Sequence, residues 1–193
     1  MNIIYLTDLQ LKTFTEEDVL DYCQINNINS DNITELNLYC NNLTDISGIK
    51  LFKNLKILSL YNNKIKDISD LKYLKQLITL HLSDNQIEDI SVIINLNNLE
   101  KLYLFENKIK NISFLKNLKN LKELSLENTE IKDISVLKYL NNLEFLSIND
   151  LKLDSDQIQY IKSLKNLKHL HCRRGFKDIL VIEQLNKDIK INE

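Results

Sequence analysis

Apolar residues recur along this chain in a pattern that repeats every 22 residues. The copy that begins at Leu55 reads LKILSLYNNKIKDISDLKYLKQ. Units in the same frame begin at the following residues: Ile33, Leu55, Leu77, Leu99, Leu121 and Leu143. Repetition at a fixed period is the signature of stacked structural units, so the sequence predicts an array in which each unit covers its neighbours. We number these units first to sixth, and a seventh begins at Leu167.

The apolar spacing changes halfway through each unit. Leu58 and Leu60 are two residues apart, which is the spacing of a strand that buries one side. Ile65, Ile68 and Leu71 are three apart, which suits 3₁₀ turns. Each unit is therefore predicted to be a short strand, a turn and a tight helical return. The predicted core of the strands comprises Leu58, Leu60, Leu80, Leu82, Leu102, Leu104, Leu124 and Leu126.

One position directly after the strand holds asparagine in four successive units, at Asn41, Asn63, Asn85 and Asn107. An inward amide there can bond backbone groups that the turn leaves unpaired, and asparagine also tolerates left-handed turn geometry. Thr129 keeps one hydroxyl at this position, whereas Leu151 has no hydrogen-bonding group. We therefore expect a structural ladder of asparagine side chains that weakens at Thr129 and is absent at Leu151.

Residues 33–166 form the six repeats, and the sixth is longer, with 24 residues. Its extra residues fall between Asp154 and Gln157, where we expect a longer helical turn capped by Ser155 or Asp156. Residues 167–193 are predicted to form the last repeat and a carboxyl-terminal cap. In that cap, Ile179, Ile182 and Leu185 suggest a closing helix, and Ile189 and Ile191 a final strand.

Residues 1–32 are predicted to form an amino-terminal helical cap. Thr15 is the expected N-cap, because acidic residues follow it in the first turn. The expected buried side of the helix comprises Val19, Leu20, Tyr22 and Cys23. The spacing of Leu6, Leu9 and Leu11 resembles a strand, so a degenerate first repeat is the alternative.

The repeat LxxLxLxxNxIxDISxLxxLxx resembles the 22-residue class of leucine-rich repeats, found in bacterial internalins and in phosphatase-regulatory leucine-rich-repeat subunits of eukaryotes. The most internalin-like feature is the Asp-Ile-Ser run at 45–47, 67–69, 89–91 and 133–135. The resemblance implies an α/β fold, a right-handed solenoid with a parallel sheet on its concave face and 3₁₀ or short helices on its convex face. The class binds many kinds of partner, so the resemblance is specific for fold rather than for function.

Strand alternation decides which residues point away from the core, and we call this outward side of the strands the strand face. Large aromatic residues on an open sheet are typical of protein-binding hot spots. The predicted partner-binding residues are Tyr39, Tyr61, His81, Tyr103, Phe105, Glu106, Glu127 and Phe145. The alternative is that neighbouring rings merely cover one another. Small residues are also expected to be exposed on this face, namely Ser59, Ser83, Ser125 and Ser147.

The strand face is predicted to be electrostatically asymmetric. Acidic residues occupy its middle, at Glu106, Glu123, Glu127 and Asp150, while Arg173 and Arg174 lie near its carboxyl end. This arrangement suits a protein partner that presents basic residues to the centre. The alternative is an ordinary solvated charged surface.

His169 and His171 suggest a metal site, but strand alternation turns Cys172 into the core, and two ligands are too few for zinc. The sequence contains no phosphate-cradling glycine loop and no nucleophile elbow. We therefore expect no cofactor, no metal and no enzymatic activity. A small metal-dependent enzyme that uses the histidine-rich end is a remote alternative.

Composition narrows the classes of partner. The 193 residues include 25 basic and 27 acidic ones, a net charge of -2 that argues against nucleic-acid binding. Three well-separated cysteines do not suggest a disulfide framework. We expect no membrane association, because no apolar run approaches the roughly 18 residues that a span requires. Without a convincing signal peptide, the expected location is cytoplasmic.

These observations predict a monomeric, non-enzymatic scaffold or regulatory subunit that binds a protein on its concave face. The alternative is an internalin-like host-interaction protein, exported by a route that needs no signal peptide.

Overall fold

The computed structural model describes residues 3–6, 12–176 and 189–192. In this part of the chain, nine short parallel strands form one sheet, in which each strand pairs with the strands before and after it in the sequence. The strands are β1 (Ile3–Tyr5), β2 (Glu35–Asn37), β3 (Ile57–Ser59), β4 (Thr79–His81), β5 (Lys101–Tyr103), β6 (Glu123–Ser125), β7 (Phe145–Ser147), β8 (His169–His171) and β9 (Lys190–Asn192). The predicted solenoid with a parallel sheet is therefore confirmed.

The sheet register brings equivalent residues of successive units side by side. Leu36 pairs with Leu58, Leu58 with Leu80, and Leu80 with Leu102. All eight predicted strand leucines are fully buried, which confirms the predicted register. A slip by one residue would have turned this whole column of leucines toward solvent.

A 3₁₀ turn carries the chain back behind the sheet in each of the first five units. These turns are Ser47–Leu51, Ser69–Tyr73, Ser91–Asn95, Ser113–Asn117 and Ser135–Tyr139. An Asp or Asn two residues before the first serine accepts a hydrogen bond from that serine's amide; Asp67 and Ser69 are an example, at 2.8 Å. The buried apolar residues of strands and turns form one continuous core along the array.

The amino-terminal end contains both a strand and a helix. β1 pairs with β2 and carries buried Ile4, while helix α1 spans Glu16–Ile25. Thr15 is the N-cap, as predicted, and it forms a capping box with Asp18. The expectation that Leu20 is buried is wrong, since 59% of its surface is exposed. Leu9 and Leu11 lie outside the described residues.

Gly48 brings α1 close to the first 3₁₀ turn. The Gly48 amide donates to the carbonyl of Phe14 at 2.7 Å. A Cβ at this position would lie only 2.3 Å from the carbonyl oxygen of Thr15 and 2.6 Å from Cγ2 of Val19. Glycine is therefore required here by the close approach of the helix N-terminus rather than by a special backbone angle.

The sixth unit returns through a longer helical segment, as its extra residues predicted. A 3₁₀ turn over Ser155–Gln157 continues into helix α2, Ile158–Lys162. The predicted caps are wrong, because Asp154 and Gln157 occupy the two N-cap positions instead of Ser155 or Asp156. A final strand is present at Lys190–Asn192, whereas the proposed closing helix at Ile179, Ile182 and Leu185 lies outside the described residues.

The asparagine ladder is confirmed. The side-chain amide of Asn85 donates to the carbonyls of Leu60, Leu82 and Ser83 at 2.9–3.2 Å, and its oxygen accepts from the amide of Ile65 at 3.0 Å. Since Leu60 and Ile65 belong to the preceding unit, each such side chain joins two units. The same bonds recur at two further positions, Asn63 and Asn107.

The left-handed residue of each turn lies one position before the asparagine, which corrects the sequence expectation. Positive φ angles of 50–62° occur at Cys40, Asn62, Asp84, Glu106, Asn128 and Asp150. Asn and Asp tolerate this region better than other side chains do. The ladder asparagines are therefore held by hydrogen bonds rather than by backbone geometry.

Candidate protein-binding face

Four ring side chains of the strand face pack together, and we call them the aromatic cluster: Tyr61, His81, Tyr103 and Phe105. Tyr61 stacks on His81 with ring centres 5.3 Å apart, and the centres of His81 and Tyr103 lie 5.0 Å apart. Phe105 contacts both His81 and Tyr61, at 6.1 and 6.0 Å. These four predicted residues are thus brought together, each partly buried by the others. The mutual covering that the sequence left open as an alternative does occur, but each of the four residues stays partly exposed.

Two other predicted aromatic residues lie apart from this cluster. Tyr39 occupies the same column as Tyr61, one strand away, but forms no ring contact within the described residues. Phe145 packs edge-on against His171, with ring centres 4.9 Å apart. The strand face therefore carries one aromatic cluster near its middle and a separate aromatic pair toward its carboxyl end.

The expectation that the serines of the strand face are exposed is wrong for three of them. Ser83 and Ser147 have no exposed surface, and Ser125 has 4%. Serine side chains are short, so larger neighbours on adjacent strands can cover them. Ser83 occupies the column position between Tyr61 and Phe105, since the amide of Asn62 donates to Ser83 and the amide of Asp84 to Phe105.

His81 lies at the centre of the cluster, and burial lowers its pKa below the ordinary value of 6.5. A neutral imidazole therefore predominates at neutral pH. Its Nε2 atom is buried and has no hydrogen-bond partner among the described residues, and the same is true of the Ser83 hydroxyl. Among the described residues, the one other buried side-chain atom of this kind is the hydroxyl of Ser147, outside the aromatic cluster.

Tyr103 is anchored at its hydroxyl. That group donates to Oε2 of Glu123 at 2.5 Å, and Lys101 bonds the other carboxylate oxygen at 2.7 Å. Burial, together with this hydrogen bond, raises the pKa of Tyr103 well above its usual value. Burial opposes ionisation of Glu123, but the hydrogen bonds from Lys101 and Tyr103 outweigh it and lower the carboxyl pKa. Lys101, which the sequence did not single out, thus helps to fix the ring of Tyr103.

Three carboxylates border the aromatic cluster. Asp84 and Glu106 directly follow Ser83 and Phe105, and Glu127 occupies the next position of the Phe105 column. Glu106 accepts a hydrogen bond from Asn128 at 2.9 Å, and Glu127 accepts one from Ser125. Within the described parts of the chain, none of the three forms an ion pair. Of the four acidic residues predicted for the middle of the face, Glu106 and Glu127 thus form no ion pair there, whereas Glu123 pairs with Lys101 and Asp150 with Arg174.

Charge at the carboxyl end of the face is partly neutralised within the protein. Arg174 pairs with Asp150 at 2.8 Å, although the sequence placed these two residues in opposite charged regions. His169 and His171 lie on β8 as predicted, and Cys172 is buried. In the portion that the structure describes, no group of three or more His, Cys, Asp or Glu side chains could hold a metal ion. No helix there is long and apolar enough to cross a membrane.

A family model described as leucine-rich repeats in two copies matches residues 31–73, 75–117 and 97–139. No match to a curated protein was found. Among solved structures, an internalin F from Listeria monocytogenes is 30% identical with a TM-score of 0.79, over 97% of this chain and 57% of that one. The present chain thus spans little more than half the length of internalin F.

Internalin C2 from the same species is 28% identical with a TM-score of 0.82, over 99% of this chain and 80% of that one. A leucine-rich-repeat protein of Leptospira interrogans is 26% identical with a TM-score of 0.71, over 95% of this chain and 52% of that one. The family model covers more than half of the sequence and its matches fall on the units that share one strand register. The chain therefore belongs to the leucine-rich-repeat proteins and resembles the Listeria internalins.

Proposed function

We propose that this protein is a non-enzymatic scaffold or regulatory subunit that binds another protein on its strand face. The observation that carries the proposal is the aromatic cluster, which presents part of four ring side chains at the middle of an open sheet. Partly covered aromatic side chains on a rigid platform can gain binding energy from a partner at small entropic cost.

The carboxylates beside the cluster add an electrostatic preference. Glu106 and Glu127 lie next to Phe105 and have no ion-pair partner in the described chain. Charges at the border of an interface act mainly on association rate and salt dependence. A partner with basic residues should therefore associate more slowly as salt concentration rises.

The proposal is tested with two pairs of substitutions. After affinity capture from the source cell and identification of a partner, its affinity is measured for the wild type, for Tyr103→Ala with Phe105→Ala, and for Lys110→Ala with Lys132→Ala. We expect the aromatic pair to weaken binding by about tenfold or more, since hot-spot rings contribute on the order of 2 kcal/mol each. The lysine pair lies off the strand face and should change affinity little.

Melting curves recorded on the same samples separate loss of binding from loss of folding. If the lysine pair abolishes binding and the aromatic pair leaves it intact, the partner does not use the strand face. The proposal would also be contradicted if the captured protein, once purified, bound neither the wild type nor the variants.

A second candidate is an exported interaction protein of the internalin kind. The similarity to internalin F over 97% of the chain favours it. Fractionation of the source cells distinguishes the two candidates. Protein in the medium or at the cell surface supports the exported form, whereas protein confined to the cell interior supports the intracellular scaffold.

A further inference from the structure

Tyr61 and Phe105 lean toward each other over Ser83. They occupy the same column two strands apart, which corresponds to about 10 Å at the usual spacing of parallel strands. Their ring centres are only 6.0 Å apart. This inward lean explains why Ser83 has no exposed surface even though strand alternation points it outward.

The side chains covered in this way carry hydrogen-bonding capacity that the described protein leaves unused. The hydroxyl of Ser83 and Nε2 of His81 are both buried and both lack a partner there. They share one side of β4 and its extension, two residues apart. A face built only to shield its core would place apolar side chains at these two positions, because apolar atoms can be covered without a hydrogen-bonding cost.

His81 and Ser83 can both act as acceptors. Burial lowers the histidine pKa, so the ring is neutral and one of its nitrogens carries a lone pair. The serine oxygen also accepts hydrogen bonds. A ligand group rich in donors can therefore match both atoms when Nε2 carries the lone pair.

The charged residues beside His81 and Ser83 favour a cation. Asp84, Glu106 and Glu127 lie on the turn and the neighbouring strand, without ion-pair partners in the described part of the chain. The aromatic rings of Tyr61 and Phe105 lie on either side of Ser83 in its column. A planar guanidinium can stack between rings, donate several hydrogen bonds and pair with carboxylates at once, whereas an ammonium lacks the flat surface.

We propose that His81 and Ser83 form the floor of a pocket that is created when Tyr61 and Phe105 move apart to receive an arginine side chain of the protein partner. The rings separate to sandwich the guanidinium, which donates to Nε2 of His81 and Oγ of Ser83. Asp84, Glu106 and Glu127 supply the opposing charge. This inference rests on the proposed protein-binding function and specifies the chemistry that the strand face recognises.

The experiment titrates the full chain with a short peptide, acetyl-Gly-Arg-Gly-amide, and follows the His81 ring signals by nuclear magnetic resonance. The matched probe replaces arginine with citrulline, which keeps the shape but removes the charge. A lysine peptide tests whether positive charge alone suffices. We expect the arginine peptide to shift the His81, Tyr61 and Phe105 signals, and to bind at least about tenfold more tightly than either control peptide.

Two single substitutions refine the test. Ser83→Ala removes only the buried hydroxyl, so it should weaken arginine binding several-fold while the melting temperature stays unchanged or rises. Ser59→Ala changes a less buried serine of the same face and should leave arginine binding unchanged. A hydroxyl with a purely structural role would give the opposite result for Ser83→Ala, namely lower stability and unaltered binding.

The proposal is overturned if the arginine peptide leaves the His81 signals unchanged at the highest soluble concentration, or if the citrulline or lysine peptide binds equally well. It is also overturned if Ser83→Ala binds like the wild type. Any of these results, together with loss of partner binding in the Tyr103→Ala, Phe105→Ala variant, rejects the arginine pocket and leaves the protein-binding function standing. An aromatic-pair variant that still binds its partner rejects the function itself.

Discussion

The second to fourth units and the fifth and sixth units have the same strands but different connections between them. In the former, Asn63, Asn85 and Asn107 each tie three carbonyls and one amide of two adjacent units. In the latter, the Thr129 hydroxyl makes one bond, to Leu126 at 2.7 Å, and Leu151 makes none through its side chain. The buried leucines are alike in both regions, so the difference lies in the polar ladder.

This contrast coincides with the layout of the strand face. The aromatic cluster lies on the second to fourth units, above the regular ladder. Beside Thr129 and Leu151, by contrast, an open groove of ≈ 680 Å³ is lined by both residues together with charged side chains of the turns. Buried polar networks that are fully satisfied make a scaffold rigid. The comparison indicates that the units beneath the aromatic cluster are joined by asparagine hydrogen bonds as well as by buried leucines.

The largest effect is expected when a rung of the ladder is removed from the regular region. Asn85→Leu leaves buried backbone groups unpaired and should lower the free energy of unfolding by about 1–3 kcal/mol. Thr129→Val is the matched control in the irregular region and should cost about 1 kcal/mol, because only one hydrogen bond is lost. Denaturant unfolding of both variants measures the difference, and equal losses would show that the two regions do not differ as described.

Native-state hydrogen exchange sharpens the comparison without a mutation. The amides of Leu151 and Lys152 form long bonds of 3.3 Å, so the junction between Leu151 and Ile158 should open more easily than the third unit. We expect exchange about tenfold faster there, a difference of about 1.4 kcal/mol in opening free energy. Protection equal to that of the third unit would rule out a soft junction.

Placing an asparagine at the ladder position of the fifth unit should make that unit more like the second to fourth units in stability. Thr129→Asn places an amide where its oxygen can accept from Ile109 and its nitrogen can donate to the carbonyls of Leu104 and Leu126. Each net hydrogen bond contributes on the order of 1 kcal/mol. The free energy of unfolding of the variant should therefore be about 1 kcal/mol higher than that of the wild type. Leu151→Asn tests the next rung. A loss of stability in Thr129→Asn would mean that the turn backbone no longer has the ladder geometry.

The smallest effect concerns the pH dependence of the aromatic cluster. The pKa of His81 is lower in the folded protein than its ordinary value of 6.5, so the unfolded chain binds more protons below that pH. Stability contributed by the neutral ring is complete above 6.5 and is lost as pH falls toward the folded-state pKa. Among the described residues, the side chains with titratable groups whose rings contact His81 are those of Tyr61 and Tyr103.

The matched variant is His81→Phe, which keeps an aromatic ring and removes the titration. Between about pH 7.5 and about pH 5.5, the wild type should lose more unfolding free energy than His81→Phe. The excess should stay below about 1 kcal/mol, because the ring is partly exposed and solvent screens its charge. Parallel curves for the two proteins would show that His81 is not desolvated.

Much of the fold follows from local patterns in the sequence. The two-residue and three-residue spacings identified strands and 3₁₀ turns, and the recurring asparagines identified the ladder, because each signal repeats in four or more units. Single features were less reliable. The burial of Leu20 and the caps of the sixth unit depended on one helix each, where no repetition could average out a wrong assignment.

The sequence predicted which residues lie in the candidate site, but it did not predict how their side chains contact one another. Alternation on the strands correctly placed Tyr61, His81, Tyr103 and Phe105 on one face. It could not show that Ser83 is covered, since that depends on the side-chain angles of rings two strands apart. Nor could it show that Lys101 anchors Glu123 and, through it, Tyr103.

The sequence by itself determined the repeat, the register and the identity of the buried leucines and asparagines, because these depend on spacing along the chain and on hydrophobic burial. Only the tertiary structure decided which outward residues meet, which carboxylates stay unpaired and which polar atoms are shut in beneath aromatic rings. The physical reason is that stacking places residues 22 positions apart within one strand spacing of each other. Their rotamers and hydrogen bonds then depend on neighbouring units, and a local sequence pattern does not identify those neighbours.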